Sequence, residues 1–168
     1  MTSQIDKRHE EISPKEMVKY GLDHLGAGAT LFKGNPEHYD SAGYLIHIGY
    51  ECVLKAWWLE QDKQIQDGHD LIKICNRIND FQFNDLPIQA QNTIKLINTF
   101  KLLRYPNLLN PIEIGTEVLD PILHLIKFTL TSMPKEIRPK QNKEFIVKGN
   151  RRLYKKPIIP AKKKAASR

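Results

Sequence analysis

Ala42-Gly43-Tyr44-Leu45-Ile46-His47-Ile48-Gly49-Tyr50-Glu51-Cys52-Val53-Leu54-Lys55-Ala56-Trp57-Trp58-Leu59 is the stretch on which the fold class turns. Ala42, Leu45, Gly49, Cys52, Val53, Ala56 and Leu59 return mostly at steps of three and four, the apolar stripe of a bundle helix. This predicts a central helix that begins between Asn35 and Ser41 and runs to about Asp62. His47, Glu51 and Lys55 stand four apart on another face, and Glu51 ahead of Lys55 is the favourable order for an ion pair of a few tenths of a kcal/mol. The same three residues interrupt the apolar run, which falls short of the roughly 20 apolar residues that span a bilayer. No membrane span is expected. Trp57 and Trp58 are adjacent and point about 100 degrees apart on a helix. Either one of them lies at a subunit or ligand interface, or the first helix covers both.

Upstream, Ser13-Pro14-Lys15-Glu16 places a hydroxyl at the N-cap, proline at the first helical position and a carboxylate where a capping box needs it. Val18, Leu22, Leu25, Ala29 and Phe32 continue one face of that helix, and Gly34-Asn35-Pro36 stops it. Gly21, Gly26 and Gly28 weaken it by about 1 kcal/mol each against alanine, and either admit a close neighbour or mark a fraying end.

Downstream, Asp67-Gly68-His69-Asp70 reads as a turn with Asp67 or Gly68 near the cap of a short helix, whose Leu71, Ile74, Cys75 and Ile78 face inward. Pro87 opens a fourth helix, with Ile94, Ile97, Phe100 and Leu103 on one stripe, which ends at Arg104-Tyr105-Pro106 because proline disfavours helical geometry before it. The last helix begins at Thr116 or, if Pro121 is its first residue, at Asp120. It buries Ile122, Leu123, Ile126 and Leu130 and ends at Met133-Pro134. With no strand alternation and short connections, the expectation is all-α: an antiparallel bundle of four to five helices.

A chain of 168 residues suits one domain and an extension, here an arm over 1–12, a bundle over 13–134 and a tail over 135–168. Charge divides along the same line. Residues 1–134 hold 13 Lys and Arg against 17 Asp and Glu, net −4, whereas residues 135–168 hold 13 against 2, net +11. The tail lacks apolar periodicity and is expected to be mostly disordered, apart from Glu144-Phe145-Ile146-Val147, which suits a short strand or a docked segment. Lys148, Arg151, Arg152, Lys155, Lys156, Lys162, Lys163 and Lys164, with Phe145 and Tyr154 interleaved, are suited to release counterions from a nucleic-acid backbone. Lys-rich ends serve equally as solubilising extensions or as docking arms for acidic proteins. The polar N-terminus lacks the pattern of a secretory signal, and Cys52 and Cys75 sit within helical apolar patterns as buried thiols. A cytoplasmic location is expected.

Three segments carry a resemblance. Tyr44 to Ala56, Gly68-His69-Asp70-Leu71 and Leu103-Arg104-Tyr105-Pro106 are similar, in that order, to the central helix, the His-Asp-Leu helix entry and the Arg-Tyr-Pro segment of the HEPN superfamily. The resemblance covers roughly residues 14 to 134. It implies a four- or five-helix bundle, often homodimeric, with roles in RNA cleavage, RNA binding or nucleotide binding in phage-defence and toxin-antitoxin systems. Ribonuclease members place a His after an Arg with four to six residues between them, a pair able to orient the ribose 2′-hydroxyl and stabilise the phosphorane. Arg104 would need that His at 109–111, where Leu109, Asn110 and Pro111 stand, and Arg8, Arg77, Arg138, Arg151 and Arg152 fail in the same way.

The expectation is therefore a non-catalytic or divergent RNA- or nucleotide-binding protein, homodimeric, with ligand residues among Arg104, Tyr105, Asn107, His69, Asp70, Glu51 and Lys55. The bland alternatives are an Arg104 that caps helix carbonyls, an Asp70 placed by the helix dipole and an intrahelical Glu51–Lys55 pair. The enzyme alternative is a divergent metal-independent endoribonuclease using Arg104 with His69 or His47, and a third reading is a regulator that binds a protein partner through the bundle. The histidines at 9, 24, 38, 47, 69 and 124 show no metal-ligand spacing, and no cofactor is expected.

Overall fold

The computed structural model describes residues 12–105 and 111–140. Among them are five α-helices and no strand: α1 (Pro14–Gly34), α2 (Tyr39–Asp62), α3 (Leu71–Cys75), α4 (Ile88–Thr99) and α5 (Leu119–Ser132). Tight 3₁₀ turns cover Pro36–His38, Phe83–Asp85, Phe100–Arg104 and Thr116–Val118. The all-α class follows directly.

The capping box forms at the head of α1. Ser13 N–H donates to Glu16 Oε2 at 3.1 Å, and Glu16 N–H donates to Ser13 Oγ at 3.2 Å. Val18, Leu22, Leu25, Ala29 and Phe32 are all buried. The glycines of α1 serve close approach: a Cβ on Gly21 would stand 2.7 Å from Gly49 O, and one on Gly28 would stand 2.9 Å from Ala42 O. Rising numbers in α1 meet falling numbers in α2, so the two helices run antiparallel with their backbones nearly touching.

α2 is enclosed on more sides than its stripe implies. Ala42, Gly49, Val53, Ala56 and Leu59 are buried and Leu45 and Cys52 are half-buried, but Ile46, Tyr50, Leu54, Trp57 and Trp58 are buried too. Trp57 packs on Phe81 with ring centroids 5.0 Å apart, while Trp58 donates from Nε1 to Asp62 Oδ2 at 2.7 Å and lies under the Arg77 guanidinium. Both indoles are thus covered within the chain, and Phe81 and Arg77, which pack on them, come from the segment after α2. Tyr50 reaches α5, its hydroxyl 2.8 Å from Thr129 Oγ1. Because the single Thr129 hydroxyl proton goes to Leu125 O, Tyr50 is the donor.

The cap of α3 is Asp70, whose side chain accepts from Ile72 N–H at 3.0 Å and Lys73 N–H at 3.1 Å, so neither Asp67 nor Gly68 holds that role. Leu71, Ile74, Cys75 and Ile78 are buried as read. Ile94, Ile97 and Phe100 of the fourth stripe are fully buried and Leu103 is half-buried. The last helical run starts as the turn at Thr116 and becomes α5 at Leu119, with Pro121 already inside its first turn. Packing continues past Pro134: Ile137 is buried, and Arg138 donates from Nη2 to the carbonyls of Thr131 and Met133 at the end of α5.

Candidate functional site

Helical spacing puts Tyr44, His47, Ile48 and Glu51 on one face of α2, at steps of three, four and seven. That face forms one wall of a cleft of about 430 Å³. His69, from the loop before α3, and Lys101, Arg104 and Tyr105, from the turn that ends α4, close the other sides. Three segments far apart in sequence therefore meet at one place.

The floor is the Glu51 carboxylate, whose side chain is 11% exposed. Lys55 Nζ lies 2.9 Å from Oε1, itself only 7% exposed, so the intrahelical pair forms inside the protein instead of on a solvated face. His69 Nδ1 lies 3.0 Å from each carboxylate oxygen. His47 Nε2 stands 3.5 Å from Oε2 without hydrogen-bond geometry and has no hydrogen-bond partner. The other nitrogen of His47 faces Ile97 O at 3.0 Å; a carbonyl only accepts, so Nδ1 carries the proton there. Burial pushes the Glu51 carboxyl up, but His47, Lys55 and His69 together outweigh it and hold the group at about 2. The floor is a permanent anion at neutral pH.

The rim is different in kind. The Arg104 guanidinium lies 5.3 Å over the Tyr105 ring, and that ring is 70% exposed. Lys101 Nζ stands 3.9 Å from Asp70 Oδ2. The cleft thus offers two cations and an exposed aromatic face above a buried carboxylate.

Of the residues singled out from the sequence, Glu51, His69, Arg104 and Tyr105 line the cleft, and so does His47 of the enzyme alternative. Lys55 pairs with Glu51 from within the fold. Asp70 caps α3 through Oδ1 and is not among the residues that line the cleft; slight burial raises its carboxyl, and Lys73 N–H, Lys101 and Ile72 N–H more than reverse that and lower it. Asn107 and the tail cations Lys148 to Lys164 lie outside the described residues. Tyr44 and Lys101 are additions. Each stands three residues before a singled-out position, His47 and Arg104, which is the spacing that could have found them.

Other features are less specific. A larger hollow of about 540 Å³ lies between α4 and α5, with almost wholly apolar walls that include Pro87, Ala90, Leu125 and Phe128. Cys52 and Cys75 are free, and burial pushes their thiols up to about 11 and about 12, too high for a nucleophilic thiolate at neutral pH. Among the described residues no group of three His, Cys, Asp or Glu is arranged to hold a metal ion, and no helix is long and apolar enough to cross a membrane. Set against protein-family models, curated proteins and solved structures, the chain matches none.

Proposed function

We propose that this chain is a HEPN-like bundle that binds RNA or nucleotides without cutting them, as a cytoplasmic homodimer in a phage-defence or toxin-antitoxin setting. The observation that carries the binding reading is the meeting of Lys101, Arg104 and exposed Tyr105 around one cleft. Arg104 and Lys101 suit phosphate oxygens, Arg104 in the bidentate mode. Tyr105 offers a base a stacking face, an interaction of about 1–3 kcal/mol per base. All three segments that resemble the family contribute side chains to this cleft: Tyr44, His47 and Glu51 from the first, His69 from the second, and Arg104 and Tyr105 from the third. This supports reading them as a ligand site. The net −4 of residues 1–134 disfavours a polyanion at long range, and the +11 of residues 135–168 supplies the attraction.

The test uses a labelled RNA oligonucleotide and three proteins: the full chain, residues 1–140, and Arg104→Ala. Binding without cleavage, weakened by Arg104→Ala and made less salt-dependent by the truncation, is the expected result. RNA affinity unchanged in both variants would sink the proposal.

A divergent ribonuclease is the second reading, favoured by the Glu51–His69 contact at 3.0 Å in the same cleft as Arg104. A carboxylate that takes the Nδ1–H of His69 leaves its Nε2 free to accept the proton of a ribose 2′-hydroxyl, with Arg104 beside the phosphorane. Defined cuts that vanish in both His69→Ala and Arg104→Ala would establish this reading against the first.

A further inference from the structure

We infer that the cleft selects guanine among nucleobases, with the N1–H and N2 amino edge of the base docking on both oxygens of Glu51 in the place that His69 occupies. The inference rests on the cleft being the nucleotide site. Its starting point is the geometry around one carboxylate. Lys55 approaches Oε1 from below, and His47 stands beside Oε2. His69 places a single nitrogen 3.0 Å from both oxygens, which puts the ring astride the edge where a two-pronged donor would sit. The ring is a replaceable cover, since the His69 side chain is 76% exposed while the carboxylate beneath it is 11% exposed.

The edge behind that cover is an acceptor pair with no proton to give. Guanine presents two adjacent N–H donors to such a pair. Adenine and cytosine each set a ring acceptor beside their amino group, which would face the carboxylate lone pairs, and uracil offers one N–H between two carbonyls. Rejection of the wrong base then arises from repulsion as well as from a missing bond. His47 adds a second observation. It is 2% exposed, its Nδ1–H is committed to Ile97 O, and its Nε2 has no hydrogen-bond partner beside the same carboxylate. A buried ring nitrogen left without a partner beside the floor marks a place where a ligand's polar group would be satisfied.

Binding of GMP, IMP and AMP to the full chain at physiological salt, by calorimetry, tests this with wild type, Arg104→Ala, Glu51→Gln and His69→Ala. GMP is expected to bind about tenfold or more tighter than AMP, the discrimination typical of a bidentate base contact. IMP, which keeps N1–H and lacks the amino group, is expected between them. Glu51→Gln should bring GMP and AMP together, because an amide replaces one acceptor by a donor. His69→Ala should leave GMP binding as tight or tighter by removing its competitor, and its surface position keeps that variant folded. Equal affinities for GMP and AMP, both lost in Arg104→Ala, would overturn guanine selection and leave the nucleotide cleft standing. Absence of binding by all three nucleotides would overturn both. Loss of GMP binding in His69→Ala would make the ring a ligand contact instead of a cover and overturn the displacement.

Discussion

Glu51 concentrates most of what is unusual at the residue scale. A carboxylate beneath the surface is stable only with its donors in place, and here Lys55 depends on it in turn, since that ammonium is 7% exposed. Glu51→Ala leaves a buried cation without its counter-charge, so a loss of about 3–5 kcal/mol is expected in equilibrium urea denaturation. The paired replacement Glu51→Leu with Lys55→Met, which removes both charges at similar volume, should recover most of that loss. The acid dependence follows from the same group. Its carboxyl is lowered from 4.5 to about 2 by folding, so its stabilisation is complete above about 4.5 and fades as pH falls toward about 2. Acid denaturation curves of wild type and Glu51→Gln should therefore converge across that window. An unchanged pH slope in Glu51→Gln would contradict the assignment.

Local patterns reveal such residues only in part. An i, i+4 Glu–Lys pair looks the same in sequence whether solvent or protein lies beside it. The burial of His47, Glu51 and Lys55 comes from contacts at long separation: His47 to Ile97 across 50 positions and Glu51 to His69 across 18. Neither leaves a periodic trace. Arg104 and Tyr105 are legible as candidates because a proline follows them in the sequence, whereas for Asp70 the position in the first helical turn already points to the capping of Ile72 and Lys73 that its Oδ1 performs.

At the scale of elements, α1 and α2 are the best determined pair. Their stripes, the Ser13 cap and the Asn35-Pro36 stop are local signals, and each corresponds to a feature of the structure. Ser13→Ala should cost about 1 kcal/mol of stability by thermal or urea melting, since it removes an acceptor that Glu16 N–H uses. Gly21→Ala runs against helix propensity in an informative way. Alanine favours the isolated helix by about 1 kcal/mol, but the added methyl would sit 2.7 Å from Gly49 O and 3.0 Å from Cys52 Cβ. Overpacking against backbone should win, with a net destabilisation of about 1–3 kcal/mol in the same assay. The weaker elements are those whose boundaries depend on neighbours. α3 is five residues long and exists through its Asp70 cap and the burial of Leu71, Ile74 and Cys75, which is why its start was legible only to within a turn.

For the whole molecule the governing quantity is the separation of charge. Thirteen cations in residues 135–168 predict a steep loss of RNA affinity between about 50 and 200 mM salt for the full chain. In the chain cut after Lys140, which keeps the buried Ile137 and the Arg138 contacts with α5, the dependence should be much shallower while Arg104 still matters. Filter binding at several ionic strengths reads both slopes. A truncated chain with the full-length slope would move the electrostatic contact into the bundle.

The meeting of Gly21 and Gly49 has a consequence for how this chain can change over evolutionary time. Each glycine faces the carbonyl oxygen of the other, so enlarging either one meets backbone, and no second replacement can shrink a carbonyl to make room. The two positions form a ratchet without a compensating path: a double substitution is expected to be at least as harmful as either single one, and descendants of this sequence should keep both glycines or move the helices apart.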